Sequence, residues 1–441
     1  VNGQKPREIA VRLLQRRLGG DYIELLLDKA LARTQLSPAD RHLCQELVYG
    51  IVRWQATLDW LAGRKTGNRA QKPLLQNLLR LGLYQIFWLD RIPHHAAVNE
   101  TVELARQSGL GPQAGFVNAV LRAYLREFEA TRQLLAQLKV SQPPLGYSHP
   151  DWLAARWTER WGPDRAAQLM EWNNTPPAAF ARVNTLKTDP ARLLAQWREE
   201  HVEYDCARRD WLEENLVYEL KSHPPLARLP SFQQGLFYVQ DPGTLLAPRE
   251  LDPRPGQAVL DLCAAPGGKL SYLAQLMANR GQLFAHDTAP DRLKLLQENC
   301  ARLGITCVST FNPQSPPLFD RILVDVPCSN TGVMRRRVDL RWRLRPGDLV
   351  HLRATQLQLL RQAAALLRPG GRLVYSTCSL EPEENQDAIA QFLNEHPAFK
   401  LERQRELLPF ADHADGAFVA CLRRETLAPA HSLEAGLFFG T

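Results

Sequence analysis

The chain has 441 residues, 45% hydrophobic and 23% charged, the proportions of a soluble globular protein with about two to four domains at roughly 100–200 residues each. No apolar run reaches membrane-spanning length, and the stretch after Lys5 and Arg7 does not read as a secretion signal. Eight cysteines without a Cys-x-x-Cys pair argue for a reducing compartment, read as cytoplasmic, and exclude a disulfide framework.

The formal charge of +7 is concentrated at one end, since residues 1–140 hold 20 Lys+Arg against 12 Asp+Glu. That surplus suits a polyanion partner, most simply RNA. No His-Glu-x-x-His or comparable ligand set points to a metal, and His94-His95 reads as a pair at a helix start. Nothing in the sequence demands more than a monomer.

Residues 1–140 read as helix throughout. Ile9, Leu13 and Leu14 open one amphipathic segment. Ser37-Pro38 opens another, with serine as the cap, proline at the first helical position and Asp40 in the first turn. This segment carries Leu43, Leu47, Ile51, Trp54, Leu58 and Leu61 at spacings of three and four. Leu74 to Leu89 is apolar enough to be a buried central helix, and Pro93 breaks it. Helices through Val98-Val102-Ala105 and Phe116-Val120-Tyr124 close a bundle expected to hold about five to seven helices.

Prolines from Pro143 to Pro150 mark residues 141–170 as a linker with a short helix ending near Trp161-Gly162. Residues 171–245 read as a small α+β subdomain, with strands at Phe180–Asn184 and Gly235–Gln240. From 246 to 424 strands and helices alternate as a doubly wound sheet requires. Strands are expected at 259–262, 282–287, 305–309, 320–325 and 371–377, with helices near 270–277, 290–303 and 348–367. Phe418–Leu422 is expected as a last, antiparallel strand at the sheet edge, and 425–441 as a tail without periodicity.

The chemistry gathers around Val259–Lys269, where an apolar strand runs into Cys263, Ala264, Ala265, Pro266, Gly267, Gly268 and Lys269 and then a helix. A strand, a glycine turn and a helix N-terminus make a nucleotide- or cofactor-binding corner. The spacing is neither a P-loop nor a dinucleotide fingerprint, and S-adenosyl-L-methionine fits best. Asp287 ends the next strand, where a carboxylate can accept both ribose hydroxyls of an adenosyl group.

Asp325-Val326-Pro327-Cys328 and Ser376-Thr377-Cys378 end two further strands. A lone cysteine is usually a small buried hydrophobe. Two cysteines at neighbouring strand ends beside a methyl-donor corner suit methylation of a pyrimidine at C5. A thiolate adds to C6, C5 becomes enamine-like and takes the methyl group, and loss of the C5 proton expels the thiol. Asp325 is the nearest acid for the ring N3. The sequence pattern alone leaves open which cysteine attacks.

Glu46-Leu47-Val48-Tyr49-Gly50 and Phe116–Arg122, in this order of helical segments, resemble the NusB family of RNA-binding domains. Asp261–Lys269, Asp325–Ser329 with Thr331-Gly332, and Tyr375–Ser379 with Pro382-Glu383-Glu384-Asn385 resemble the RNA 5-methylcytosine methyltransferase family. Arg182-Val183-Asn184 and Gln240-Asp241-Pro242 match the subdomain that precedes it. Together the chain is similar to the bacterial RsmB (Sun/Fmu) type.

The resemblance implies an all-α NusB-like bundle, a small α+β subdomain and an α/β Rossmann-like class I methyltransferase domain. It implies S-adenosyl-L-methionine as cofactor and ribosomal RNA as partner. Residue by residue it implies Cys378 as nucleophile, Cys328 as the second cysteine assisting breakdown of the adduct, and cofactor contacts from Cys263–Lys269, Asp287 and Asp325. Asn312 stands where the family usually has an adenine-contacting aspartate, and Arg335-Arg336-Arg337-Val338-Asp339 replaces its usual Arg-Arg-His-Pro-Asp. The added charge, with Arg341, Arg343 and Arg345, is expected to grip RNA phosphates. The alternatives are the same chemistry on transfer RNA, or a non-catalytic RNA-binding factor.

Overall fold

The structure is a computed structural model that describes residues 5–311, 314 and 316–426. The chain divides into two compact units, one of residues 1–176 with Met334–Leu344 and one of residues 177–333 with 345–441.

In the first unit, helices span Lys5–Arg17, Ile23–Arg33, Pro38–Arg53, Gln55–Thr66, Pro73–Trp88, His94–Gln107, Gly111–Arg126 and Phe128–Ser141. Ser37 caps the third, accepting from Asp40 N at 3.1 Å with Pro38 behind it, as the sequence requires. The apolar stripe that reads as one helix through Leu61 is broken at Trp54 (φ −97°, ψ 18°) into two. With the further helix at Phe128–Ser141, the described residues up to 141 therefore hold eight helices, more than the five to seven expected.

Pro73–Trp88 is the central helix, burying Leu75, Leu78, Leu79, Leu81, Leu83, Tyr84 and Ile86. Gly50 lets Tyr84 lie against the neighbouring helix, because a β-carbon there would stand 2.0 Å from the tyrosine ring. The proline-marked stretch read as a linker is mostly helical, with a turn at Pro143–Gly146 and helices at Asp151–Trp161 and Pro163–Asn174. Leu153, Trp157, Ala166 and Leu169 are buried along it.

The segment Met334–Leu344 departs from expectation most. It belongs to this helical unit, and three of the arginines assigned to RNA, Arg335, Arg341 and Arg343, are engaged within it. Arg341 is 0% exposed and donates to Asn174 Oδ1 (2.8 Å), Asn173 O (2.9 Å), Arg53 O (3.2 Å) and Ser148 O (3.2 Å). The Arg335 guanidinium lies 4.0 Å from the Trp172 ring centroid and that of Arg343 lies 4.4 Å from Tyr22. Arg343 also donates to Gly20 O at 2.6 Å. A buried guanidinium whose N–H groups are taken up by carbonyls is not accessible to a phosphate. Of the six arginines expected at RNA, Arg337 and Arg345 are the exposed ones.

The second unit begins with four antiparallel strands, β1 (Ala179–Val183), β2 (Glu203–Cys206), β3 (Val217–Ser222) and β4 (Phe237–Val239), in the order β2-β3-β1-β4. Trp197, from the helix Pro190–Glu199, is fully buried in their core with Phe237 and Tyr218.

The larger sheet contains β5 (Ala258–Asp261), β6 (Gln282–Ala285), β7 (Val308–Thr310), β8 (Phe319–Asp325), β9 (Leu367–Thr377), β10 (Phe399–Leu407) and β11 (Ala417–Arg424). Their order is β10-β11-β9-β8-β5-β6-β7, parallel from β9 to β7 and antiparallel through β11. All the strands expected here are present, with β7 shorter and later than read. The expected edge strand is corrected: β11 lies inside the sheet, and the edge is β10, which the sequence reading missed. β10 reads Phe-Lys-Leu-Glu-Arg-Gln-Arg-Glu-Leu, with a mostly exposed middle, the charged composition that protects an edge.

The chain reverses direction across the sheet between β8 and β5, with β6 and β7 beyond β5 on the other side. In an open α/β sheet such a switch point leaves a crevice outside the carboxyl ends of the strands. It places the glycine corner and Asp325 side by side.

Candidate active site

β5 delivers Asp261 to the crevice, and the chain turns through Cys263–Gly267 into the helix Gly268–Leu276. Gly267 sits at φ +103°, a conformation that residues with a β-carbon avoid. The turn is fixed from its neighbours: Ala264 N donates to His286 O (2.9 Å) and Ala265 N to Asp287 Oδ2 (3.2 Å). Pro266 O accepts from Asn299 Nδ2 at 3.0 Å.

Arg182 of β1 braces the helix start from behind. It is 1% exposed and donates to Gly268 O (3.1 Å), Ser271 Oγ (2.8 Å) and Gln240 Oε1 (2.7 Å). Burial pulls its pKa down to about 9, and the Tyr272 and Tyr238 rings flank it. The sequence motifs containing Arg182 and Gln240 are therefore one structural device.

Asp287, just past the end of β6, is 8% exposed, with Oδ1 also accepting from Ala289 N at 3.1 Å. Arg292 Nη1 is 3.4 Å from its Oδ2. Asn312 lies outside the described residues, as does most of the 425–441 tail.

Asp325 ends β8 opposite Ser376 of β9 in parallel register. Ser376 Oγ donates to Asp325 Oδ1 at 2.7 Å, and Lys269 Nζ is 2.6 Å from Oδ2. Burial works against the lysine charge, but Asp325, then Cys378 and Asp261, outweigh it and hold the Lys269 pKa above its ordinary value. The register carries both chains onward to their cysteines. Cys328 Sγ and Cys378 Sγ are 3.3 Å apart.

The two thiols differ. Cys328 is buried, and its hydrogen bond to Cys378, its burial and the Cys378 and Glu384 charges raise its pKa well above the ordinary value. Cys378 is partly exposed. Asn330, at φ +56°, points Oδ1 at Cys378 Sγ (3.0 Å) while its Nδ2 donates to Cys328 O (2.6 Å). The third cysteine of the corner, Cys263, is pushed up to about 12 by burial and the surrounding aspartates, which leaves it an inert thiol.

The donor set fits a cationic methyl donor. Asp261 is 1% exposed and neither oxygen accepts a well-formed hydrogen bond, though the Cys263 N–H is near enough to favour the anion slightly. Burial first, and the Asp325 charge second, lift its pKa to about 7. Three carboxylates (Asp261, Asp287 and Asp325) within electrostatic reach, against Lys269 and the more exposed Arg292, leave unspent acceptors for the ammonium and sulfonium of S-adenosylmethionine. Asp261, Asp287 and the Cys263–Lys269 turn would hold it. Among the described residues no group of three or more His, Cys, Asp or Glu is placed to hold a metal ion, and no helix is long and apolar enough to cross a membrane.

Sequence reasoning placed the glycine corner, Asp287, Asp325 and both cysteines here, and the structure brings them together. It missed Ser376 and Asn330 as hydrogen-bond partners of Asp325 and Cys378, and Arg182 as the brace. Ser376 lay in the quoted Tyr375–Ser379 motif, but only the strand register shows that it faces Asp325.

Residues 248–438 match the family model for the 16S rRNA methyltransferase RsmB/F, residues 4–126 the NusB family, and residues 149–217 the RsmF/B-like ferredoxin-like domain. The chain is 37% identical, over 91% of its length and 95% of the relative's, to a probable ribosomal RNA small subunit methyltransferase B of Synechocystis sp.. It is 36% identical to the Bacillus subtilis protein described in the same words, over 95% and 98% of the two chains. A crystal structure of a methyltransferase homologue from Pyrococcus horikoshii covers 64% of this chain and 97% of its own, with 32% identity and a TM-score of 0.56. The chain belongs to the 16S rRNA methyltransferase RsmB/F family, enzymes that form 5-methylcytosine in RNA with S-adenosylmethionine as the methyl donor.

Proposed function

We propose that this protein methylates C5 of a cytosine in 16S ribosomal RNA through a covalent adduct with Cys378, with Cys328 as the proton-handling partner. The observation that carries this reading is the 3.3 Å separation of the two sulfur atoms beside the Lys269–Asp325 pair. Bound at the glycine corner, S-adenosylmethionine supplies an electrophilic methyl group.

Lys269 lies within electrostatic reach of Cys378, the residue that reacts as its thiolate. That thiolate adds to C6, and the electron pair displaced onto C5 and N3 makes C5 nucleophilic. Asp325 is already engaged by Lys269 and Ser376, so the pair offers cytosine a donor and an acceptor side by side. The hydrogen bond that N3 needs as charge develops comes from this pair.

Once C5 carries the methyl group, the C5 proton must leave and the C6–sulfur bond must break. Cys328 keeps its proton through the hydrogen bond to Cys378 and burial. It gives that proton to the departing Cys378 sulfur and receives the C5 proton in exchange. Both thiols end protonated, and one proton is shed before the next turnover.

The test is incubation of the protein with labelled S-adenosylmethionine and unmodified 16S ribosomal RNA. Label should appear on cytosine C5, and an RNA–protein adduct should survive denaturant during turnover. Label confined to another base, or none, rejects the assignment.

A further inference from the structure

Glu384 is 0% exposed, lies outside the proposed chemistry, and has no Lys or Arg paired with it among the described residues. An uncompensated carboxylate is expensive to bury, so every one of its lone pairs should be answered. They are. Oε1 accepts from Ser329 N (2.9 Å) and Gln356 Nε2 (2.8 Å), and Oε2 from the Ser379 hydroxyl (2.5 Å) and the Ser329 hydroxyl.

These donors come from the residues that follow each cysteine. Ser329 is next to Cys328 and Ser379 is next to Cys378, and the two hydroxyls also meet each other at 2.9 Å. Gln356, itself 0% exposed, donates a second bond to Pro327 O at 3.0 Å, immediately before Cys328. The main chain at Glu384 is held in turn, since its carbonyl accepts the Tyr375 hydroxyl at 2.6 Å. One carboxylate thus joins both cysteine loops to the helix Pro346–Leu366.

We propose that Glu384 is a positioning residue for methyl transfer, fixing the separation and orientation of the Cys328 and Cys378 thiols by bridging the loops that carry them. The inference rests on the reading that these thiols are the reacting groups. A glutamine has the same shape but turns one of the two oxygens into a donor, so one loop loses its anchor. Misplacing a reacting atom by about 1 Å costs up to about a hundredfold in rate.

The experiment compares the full-length wild type with Glu384→Gln. Methylation of 16S ribosomal RNA should lose at least about tenfold in kcat, while the KM for RNA and the affinity for S-adenosylmethionine stay within about twofold. The thiol separation is read independently with diamide, an azo oxidant that takes one hydrogen from each thiol to leave a disulfide and a hydrazine. Cross-linking of Cys328 to Cys378, detected as a two-hydrogen mass loss, should slow at least about fivefold in the variant.

A kcat within about twofold of wild type, or cross-linking at the wild-type rate, overturns the proposal. If Glu384→Gln does not fold, Ser379→Ala removes one arm alone and should lower kcat at least about threefold with the affinity for S-adenosylmethionine unchanged; an unchanged kcat overturns it equally. A wild type without cytosine methylation rejects the proposed function instead, and the cross-linking comparison still decides the role of Glu384.

Discussion

Arg17 and Asp339 stand 322 residues apart in sequence and 2.6 Å apart in the structure. The Asp339 side chain is 0% exposed, and it also accepts from Ile23 N at 2.9 Å and pairs with Arg343 at 3.1 Å. A short excursion from the distal half of the chain is thus part of the interior of the N-terminal helical unit.

The neighbouring arginine gives the first prediction. Arg341→Met removes the donor to four acceptors on buried residues. Unfolding of the helical unit in urea should show a loss of about 3 kcal/mol, since each buried acceptor left unpaired costs about 1–3 kcal/mol and relaxation recovers part. A loss below about 0.5 kcal/mol, the range of ordinary surface substitutions, would mean that Arg341 is not held as described.

The two cysteines should fail in different ways. Cys378→Ala should abolish turnover and adduct together, a loss of at least about a thousandfold, because nothing else near the corner is a ready nucleophile. Cys328→Ala should still form the adduct but release it slowly, so that protein–RNA conjugate accumulates on a denaturing gel. The opposite pattern would exchange the two roles.

Lys269 links the cofactor corner to the cysteines. Lys269→Met removes the Asp325 pair and a positive charge within electrostatic reach of Cys378. Alkylation of Cys378 by iodoacetamide should slow about fivefold, and kcat should fall about a hundredfold. Alkylation at the wild-type rate would show that the lysine charge does not activate the thiol.

Asp261 makes stability depend on pH. Its pKa of about 7 in the folded protein lies above the value of about 3.9 expected in an unfolded chain. The bound proton therefore stabilises the fold fully below about pH 4, and this contribution is lost as the pH rises through about 7. Asp261→Asn keeps the shape without the charge. It should be more stable than wild type at pH 8, by on the order of 3 kcal/mol, with the difference shrinking toward pH 5. The same substitution should weaken S-adenosylmethionine binding about tenfold at pH 8, because the unanswered anion is what a cation would use. Calorimetric melting across pH and titration with the cofactor check the two halves separately.

The active site was legible because its chemistry sits at strand ends. Once Asp325 and Ser376 terminate parallel neighbours, the residues that follow must share one crevice, and period and glycine placement reveal that much. Contacts that cross between distant segments were not legible. The break at Trp54 is hidden because the apolar spacing continues through Ile51, Trp54 and Leu58. β10 is hidden because an edge strand wants charge, and charge at that density reads as loop. Arg335 and Arg341 were assigned to RNA because they follow Cys328 so closely, and nothing local in the sequence announces a set of carbonyls waiting for an arginine.

The Met334–Leu344 excursion has a consequence for how the chain comes off the ribosome. The helices up to residue 176 emerge first, yet Asn173, Asn174, Ser148 and Arg53 offer acceptors to a guanidinium that does not yet exist. The N-terminal unit waits, incompletely furnished, until Met334–Leu344 has been translated, so a gene fragment cut at Pro176 would encode a protein missing part of its own interior.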